Sequence, residues 1–278
     1  MQPAPRIELN NGVLMDQVGF GTYKIPDGDA ARLCLDALEA GYRHLDTAAL
    51  YGNEAGVGSA VKSFTASDGC SREDLFITSK VWNTDQGYDS TLQAFEASLG
   101  RLGLDYMDLY LIHWPCPQRG KFIETYRALE AIHASGRVRA IGVSNFQPAH
   151  LAQLLDATGI TPAVNQIELH PWLAQHELRR LHNSLGIRTV AWSPLGRGAV
   201  LADPVITRIA GDLDRTPAQV ILRWHLDQGN VVIPKASSPE RIAGNLDLFS
   251  FELTDAQRQS IDALDCGRRS GSHPDEVN

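Results

Sequence analysis

The chain has 278 residues, 43% hydrophobic and 21% charged, enough to bury a substantial core as one large domain or two small ones. A formal net charge of -8 with no run of Lys or Arg argues against a nucleic-acid partner or an anionic-membrane surface, so any anionic ligand must be met locally. The opening residues lack the basic-then-apolar build of a signal peptide, and no segment approaches about 18 uninterrupted apolar residues, so a cytoplasmic protein without a membrane partner is expected. Cys34, Cys70, Cys116 and Cys266 are far apart and form no C-x-x-C pair, which favours reduced thiols over a disulfide or zinc framework.

In chain order, "RIELNNGVLM" carries an Asn-Gly between two alternating runs and predicts a β-hairpin, placed to plug the bottom of a barrel. A strand is predicted at 19–22. Ala31, Cys34, Leu35 and Leu38 then mark a helical stripe, with Gly41 as its C-cap. Strands follow at 44–48 and 75–81, then a second stripe of Leu92, Phe95, Leu99 and Leu102. Further strands are predicted at 107–114, 138–145 after a C-cap at Gly136, 163–169, 188–193 and 231–236. "TPAQ" at 216–219 and "TDAQ" at 254–257 are N-terminal capping signals. Eight strands alternating with helices fit an α/β fold, a (β/α)8 TIM barrel with an N-terminal β-hairpin, better than an open doubly wound sheet, although the count alone leaves the sheet open. No linker or charge block interrupts the series, so residues 1–278 are assigned to a single domain.

In a barrel, functional residues belong at the C-terminal ends of the strands, and polar residues gather there: Asp46 and Tyr51, Lys80, His113, Ser144 and Asn145, Gln166, Trp192 and Ser193, and Lys235. The stretch "HLDTAALYGNEAGVGSAV" from His44 to Val61 is ambiguous, because its glycines suggest a phosphate cradle. It satisfies neither G-x-G-x-x-G after a strand nor the P-loop pattern, so Gly52, Gly56 and Gly58 are read as packing glycines and the chemistry is left to Asp46 and Tyr51. His176 and His182 lie six apart, no H-x-H opens the first strand, and no metal is expected; His44, His170 and His225 are read as core or surface residues.

The segments "GYRHLDTAALYGNE", "DLYLIHWP", "GVSNF", "NQIELHP", "WSPLG" and "IPK" with "PERI" resemble the aldo-keto reductase family, from "GFGTYK" to the C-terminus. Within it, the length and the ending "HPDEVN" are similar to bacterial 2,5-diketo-D-gluconate reductases. The resemblance implies a (β/α)8 barrel that reduces aldehydes and ketones with NADPH/NADP+ as cofactor, acts on a small-molecule carbonyl substrate as a monomer, and carries a catalytic tetrad of Asp46, Tyr51, Lys80 and His113. Some barrels of this kind resemble regulatory subunits that bind NADPH with little turnover; the intact tetrad favours an enzyme.

The residue types suit that chemistry. A carbonyl that accepts hydride must be protonated, and a phenol with a pKa near 10 is a reluctant acid, so Lys80 is expected to lower the pKa of Tyr51, with Asp46 orienting the ammonium. His113 is expected to donate a hydrogen bond to the carbonyl oxygen. Taken singly, each residue is better explained by packing or solvation; four together at motif positions are not. Asn145 and Gln166, with Ser144 nearby, are expected to hold the nicotinamide amide and Trp192 to stack on its ring, with Thr22 and Asp46 also on the cofactor side. Ser193, Leu195 and Gly196 are assigned to the pyrophosphate, and Lys235, Ser237, Ser238, Arg241 and Asn245 to the adenosine end. Tyr23, Trp82, Trp114 and Phe146 are expected to wall the substrate pocket beside Tyr51 and His113. Ala236 and Gly244 replace a Ser and an acidic residue usual in the family, which predicts a reduced margin of NADPH over NADH.

Overall fold

The structure, a computed structural model, describes residues 4–67 and 70–278. At its start, β1 (Arg6–Glu8) and β2 (Leu14–Asp16) pair antiparallel around a turn in which Gly12 takes a φ of 84°. Leu9 and Met15 project from this hairpin into the barrel interior beside Phe76, Val164, Val190 and Val231, so the hairpin does close the barrel floor.

Eight strands then form one parallel sheet in sequence order: β3 (Gly19–Gly21), β4 (His44–Asp46), β5 (Phe76–Val81), β6 (Met107–Ile112), β7 (Val138–Ser144), β8 (Val164–Glu168), β9 (Arg188–Trp192) and β10 (Val231–Val232). The two ends meet. Val18 bridges Val232 in parallel, and the Gly21 N–H donates to the Pro234 carbonyl at 3.1 Å, which makes a barrel and removes the open-sheet alternative. Closure needs a glycine at 21, because a Cβ there would lie 2.5 Å from the Ile233 carbonyl oxygen. The last strand pairs regularly over two residues, not the six of 231–236: Pro234 has no N–H to give a ladder. β5 and β6 are buried on both faces, as parallel strands under helices must be: Leu109 and Leu111 face the barrel interior, Tyr110 and Ile112 the helices.

The helices are α1 (Asp27–Ala40), α2 (Glu54–Thr65), α3 (Tyr88–Leu102), α4 (Phe122–Ala134), α5 (Pro148–Ala157), α6 (His176–Leu185), α7 (Pro204–Leu213), α8 (Pro217–Asp227), α9 (Pro239–Gly244) and α10 (Asp255–Asp262). Thr216 and Thr254 each form the expected capping box, with Gln219 and Gln257. Gly41 caps α1, whereas Ser135 caps α4 and Gly136 follows it with a φ of 78°. The buried stripe of α1 is Ala30, Leu33, Cys34, Ala37 and Leu38, turned from the expected one because α1 packs on α2 as well as on the barrel. On α3, Phe95, Leu99 and Leu102 are buried and Leu92 only partly; Thr91 and Ser98 share the buried face because Thr91 donates to the Asp85 carbonyl and Ser98 meets the Glu54 carboxylate. Gly56 and Gly58 are packing glycines: an added Cβ would fall 2.6 Å from the Ala30 Cβ and 1.9 Å from the Leu102 carbonyl oxygen.

Candidate active site

At the C-terminal mouth, β4 ends on Asp46, and β5 carries Lys80 one residue before its end. Both are buried. The Lys80 Nζ donates to Asp46 Oδ1 at 2.6 Å and to the Thr47 carbonyl at 2.8 Å, while Gln166 Nε2 on β8 donates to Asp46 Oδ2 at 2.7 Å. The ammonium and carboxylate are thus paired and hydrogen-bonded, the condition for keeping charges in a dry interior. A short 3-10 turn, Ala49–Tyr51, then lifts Tyr51 over the pair, with Lys80 Nζ 5.2 Å from the centre of its ring.

His113, one residue past β6, stands edge-on to Tyr51 with ring centres 5.7 Å apart, and edge-on to Trp82 at 5.1 Å. Its Nδ1 is buried without a partner among the described residues. Burial, then the charge of Lys80, pushes its pKa well below the usual histidine value. The Tyr51 hydroxyl makes no hydrogen bond to the described residues. Burial raises its pKa well above 10, and the nearby Asp46 and Tyr23 add to that. The expectation that Lys80 lowers the Tyr51 pKa is therefore corrected for the bare protein: burial of the phenol outweighs the ammonium, and the Asp46 carboxylate adds to the rise. Tyr23 packs on Tyr51 at 5.1 Å, and Trp82 and Trp114 are partly exposed around the same opening. Phe146 is not in this wall; it is fully buried between Phe122 and His150 on the helical side.

The remaining candidates sit on β8, at or just past the ends of β3, β7, β9 and β10, or at α9. Asn145 takes a left-handed φ of 66°; its Nδ2 donates to the His113 carbonyl and Ser144 Oγ, and its Oδ1 accepts from Trp192 Nε1 at 2.8 Å. Ser144 Oγ donates to the Gln166 carbonyl, and Thr22 Oγ1 to the Asp46 carbonyl. Ser193, Gly196, Arg197 and Gly198 all have positive φ, which folds 193–198 tightly; the Gly196 N–H is used within that turn on the Ser193 carbonyl at 2.8 Å. Lys235 and Arg241 are exposed and form no ion pair with the described residues. Ser238 is committed as N-cap of α9, accepting from the Arg241 N–H, whereas Ser237 is exposed, Asn245 is buried, and Ala236 sits in the core. Among the described residues no group of His, Cys, Asp and Glu could hold a metal ion, and no helix is long and apolar enough to cross a membrane.

The model of the "Aldo/keto reductase family" matches residues 17–265. The chain belongs to that family. It is 55% identical to an aldo-keto reductase of Mycolicibacterium smegmatis, covering 99% of this chain and 98% of that protein. It is 50% identical to the glyoxal reductase of Bacillus subtilis, over 98% and 96%. The crystal structure of a Bombyx mori aldo-keto reductase in complex with NADP superposes with a TM-score of 0.92 at 35% identity, covering 98% and 96%. The likeness of the ending to the diketogluconate reductases is a general family resemblance.

Three residues around the centre of this aldo-keto reductase escaped the reading of the sequence. Thr47 supplies a backbone carbonyl, to which residue type gives no clue. Asn53 is fully buried and ties Thr22, Ile25 and Thr47 together through four hydrogen bonds; its place in "YGNE" was the available signal. Glu168, inside "NQIELHP", is a buried carboxylate that binds the C-terminal tail.

Proposed function

We propose that this aldo-keto reductase reduces aldehydes or ketones, α-dicarbonyls and keto sugars among them, to alcohols with NADPH, acting as a single-domain monomer in the cytoplasm. The observation that carries this reading is that the Tyr51 and His113 rings, whose hydroxyl and Nε2 hydrogen-bond to none of the described residues, stand edge-on with centres 5.7 Å apart beside the buried Lys80–Asp46 pair. A carbonyl oxygen between them accepts a hydrogen bond from each. NADPH, when bound, supplies the hydride.

Tyr51 is the general acid. Its raised pKa keeps the proton on the phenol until hydride arrival makes the carbonyl oxygen an alkoxide, a stronger base than phenolate. Lys80 matters at that moment, because an ammonium 5.2 Å from the ring stabilises the negative charge that proton transfer leaves behind. Neutral His113 orients the oxygen through Nε2–H. The donor set suits the cofactor: Trp192 for the nicotinamide ring, Asn145, Gln166 and Ser144 for its amide, Ser193, Leu195 and Gly196 for the pyrophosphate, and the unpaired cations Lys235 and Arg241 for the adenosine phosphate. The name of the Bacillus relative supports α-dicarbonyls as substrates. Following NADPH absorbance with the purified chain against aldehydes, ketones and α-dicarbonyls tests this. Turnover of at least one class is expected; tight NADPH binding without turnover on any would point to a regulatory subunit instead.

A further inference from the structure

Glu168 ends β8, two residues past Gln166, and is outside the reacting cluster. Its buried carboxylate accepts from the Ser270 N–H at 2.6 Å, from the Ser270 hydroxyl, from the Gly271 N–H at 3.2 Å, and from His170 Nε2 at 3.1 Å; the Arg269 guanidinium lies 3.9 Å away. Three of these hydrogen bonds come from the C-terminal tail. Burial by itself would raise this carboxyl's pKa, yet the bonds from His170 and Ser270 hold it down to about 2. The tail so tied presses on Trp192: a Cβ at Gly271 would lie 2.5 Å from Trp192 Cη2, 3.2 Å from Cζ3 and 3.3 Å from Glu168 Oε2. The opposite edge of the same indole is pinned by Nε1 donating to Asn145. Trp192 is therefore held at both edges, and one hold is a strap whose anchor is Glu168.

We propose that Glu168 is a positioning residue for the cofactor: by fastening Ser270 and Gly271 beside Trp192 it sets the indole plane on which the nicotinamide stacks. This rests on the reading of Trp192 as the stacking residue. Only a residue without a side chain fits between the strap and the ring, so Gly271→Ala crowds the indole most and the carboxylate less, while Glu168→Gln loosens the strap without changing its shape.

The test is a double-mutant cycle on the full chain, read as NADPH affinity by fluorescence titration and as kcat, with the melting temperature measured for every variant. Gly271→Ala and Glu168→Gln should each weaken NADPH binding about tenfold in the wild-type background and less than about twofold in Trp192→Phe, whose ring lacks the Cη2 edge. Equal effects in both backgrounds would overturn the strap and leave the stacking role standing. An unchanged NADPH affinity in Trp192→Ala would overturn the stacking role and the strap with it. Should Glu168→Gln fail to fold, Gly271→Ala, which leaves the Glu168 side chain in place, carries the same comparison.

Discussion

Lys80 and Asp46 were legible as a pair because their residue types, strand ends and motif positions agree, and each is the other's nearest counter-charge. Replacing Lys80 by Met leaves Asp46 buried with Gln166 as its remaining side-chain partner, so about 3–5 kcal/mol of stability should be lost along with turnover, measured by urea unfolding. What the sequence could not convey was the direction of the Tyr51 shift, since that depends first on how deeply the phenol is buried. With the Tyr51 pKa raised and the His113 pKa lowered, the phenol keeps its proton and the imidazole stays neutral across the middle range. The profile of kcat/KM for a carbonyl should therefore be flat between about pH 6 and pH 9; a limb near pH 6.5 would mean that His113 titrates normally. At the adenosine end, Arg241→Ala should weaken NADPH binding about tenfold, leave NADH unchanged, and narrow the salt dependence. Ser237, not the N-cap Ser238, is the hydroxyl available to stand in for the one missing at Ala236.

Elements were legible where one local rule governs them. The hairpin turn, both Thr capping boxes and all eight barrel strands follow from turn chemistry, caps and apolar runs. Tertiary contacts shifted the rest. The α1 stripe is rotated by its contact with α2, Pro234 cuts β10 short, and Phe146 points outward because it follows the left-handed Asn145. Close helix packing also separates two glycines that look alike in sequence. Gly58→Ala on α2 forces a Cβ into the Leu102 carbonyl and should destabilise by about 1–3 kcal/mol. Gly100→Ala on α3 has open space within 4 Å and should stabilise by about 0.5–1 kcal/mol through helix propensity. Denaturant midpoints with unchanged slopes would bear out both; equal midpoints for the pair would contradict the packing of α2 on α3.

Across the whole molecule, the histidines outside the site are a liability in acid. His44, His182 and His225 are buried, and burial pushes their pKa values down to about 4, 4 and 3. Between pH 6.5 and about 4 the unfolded chain binds protons that the folded chain refuses, so stability falls as pH drops through that window, by up to about 1.4 kcal/mol per pH unit for each group. Urea midpoints recorded from pH 7 to about pH 4.5 should decline accordingly, and a flat series would mean that these rings can protonate in place. The central claim, that Tyr51 hands its proton to a carbonyl reduced by NADPH, is tested most directly by the rate of NADPH oxidation with an α-dicarbonyl for the wild type and Tyr51→Phe, with NADPH affinity measured on both. The phenylalanine keeps the ring and its contacts with Tyr23 and His113 and removes only the hydroxyl, so turnover should fall by about 10²-fold or more while NADPH affinity is little changed. Near wild-type turnover in Tyr51→Phe would contradict the account.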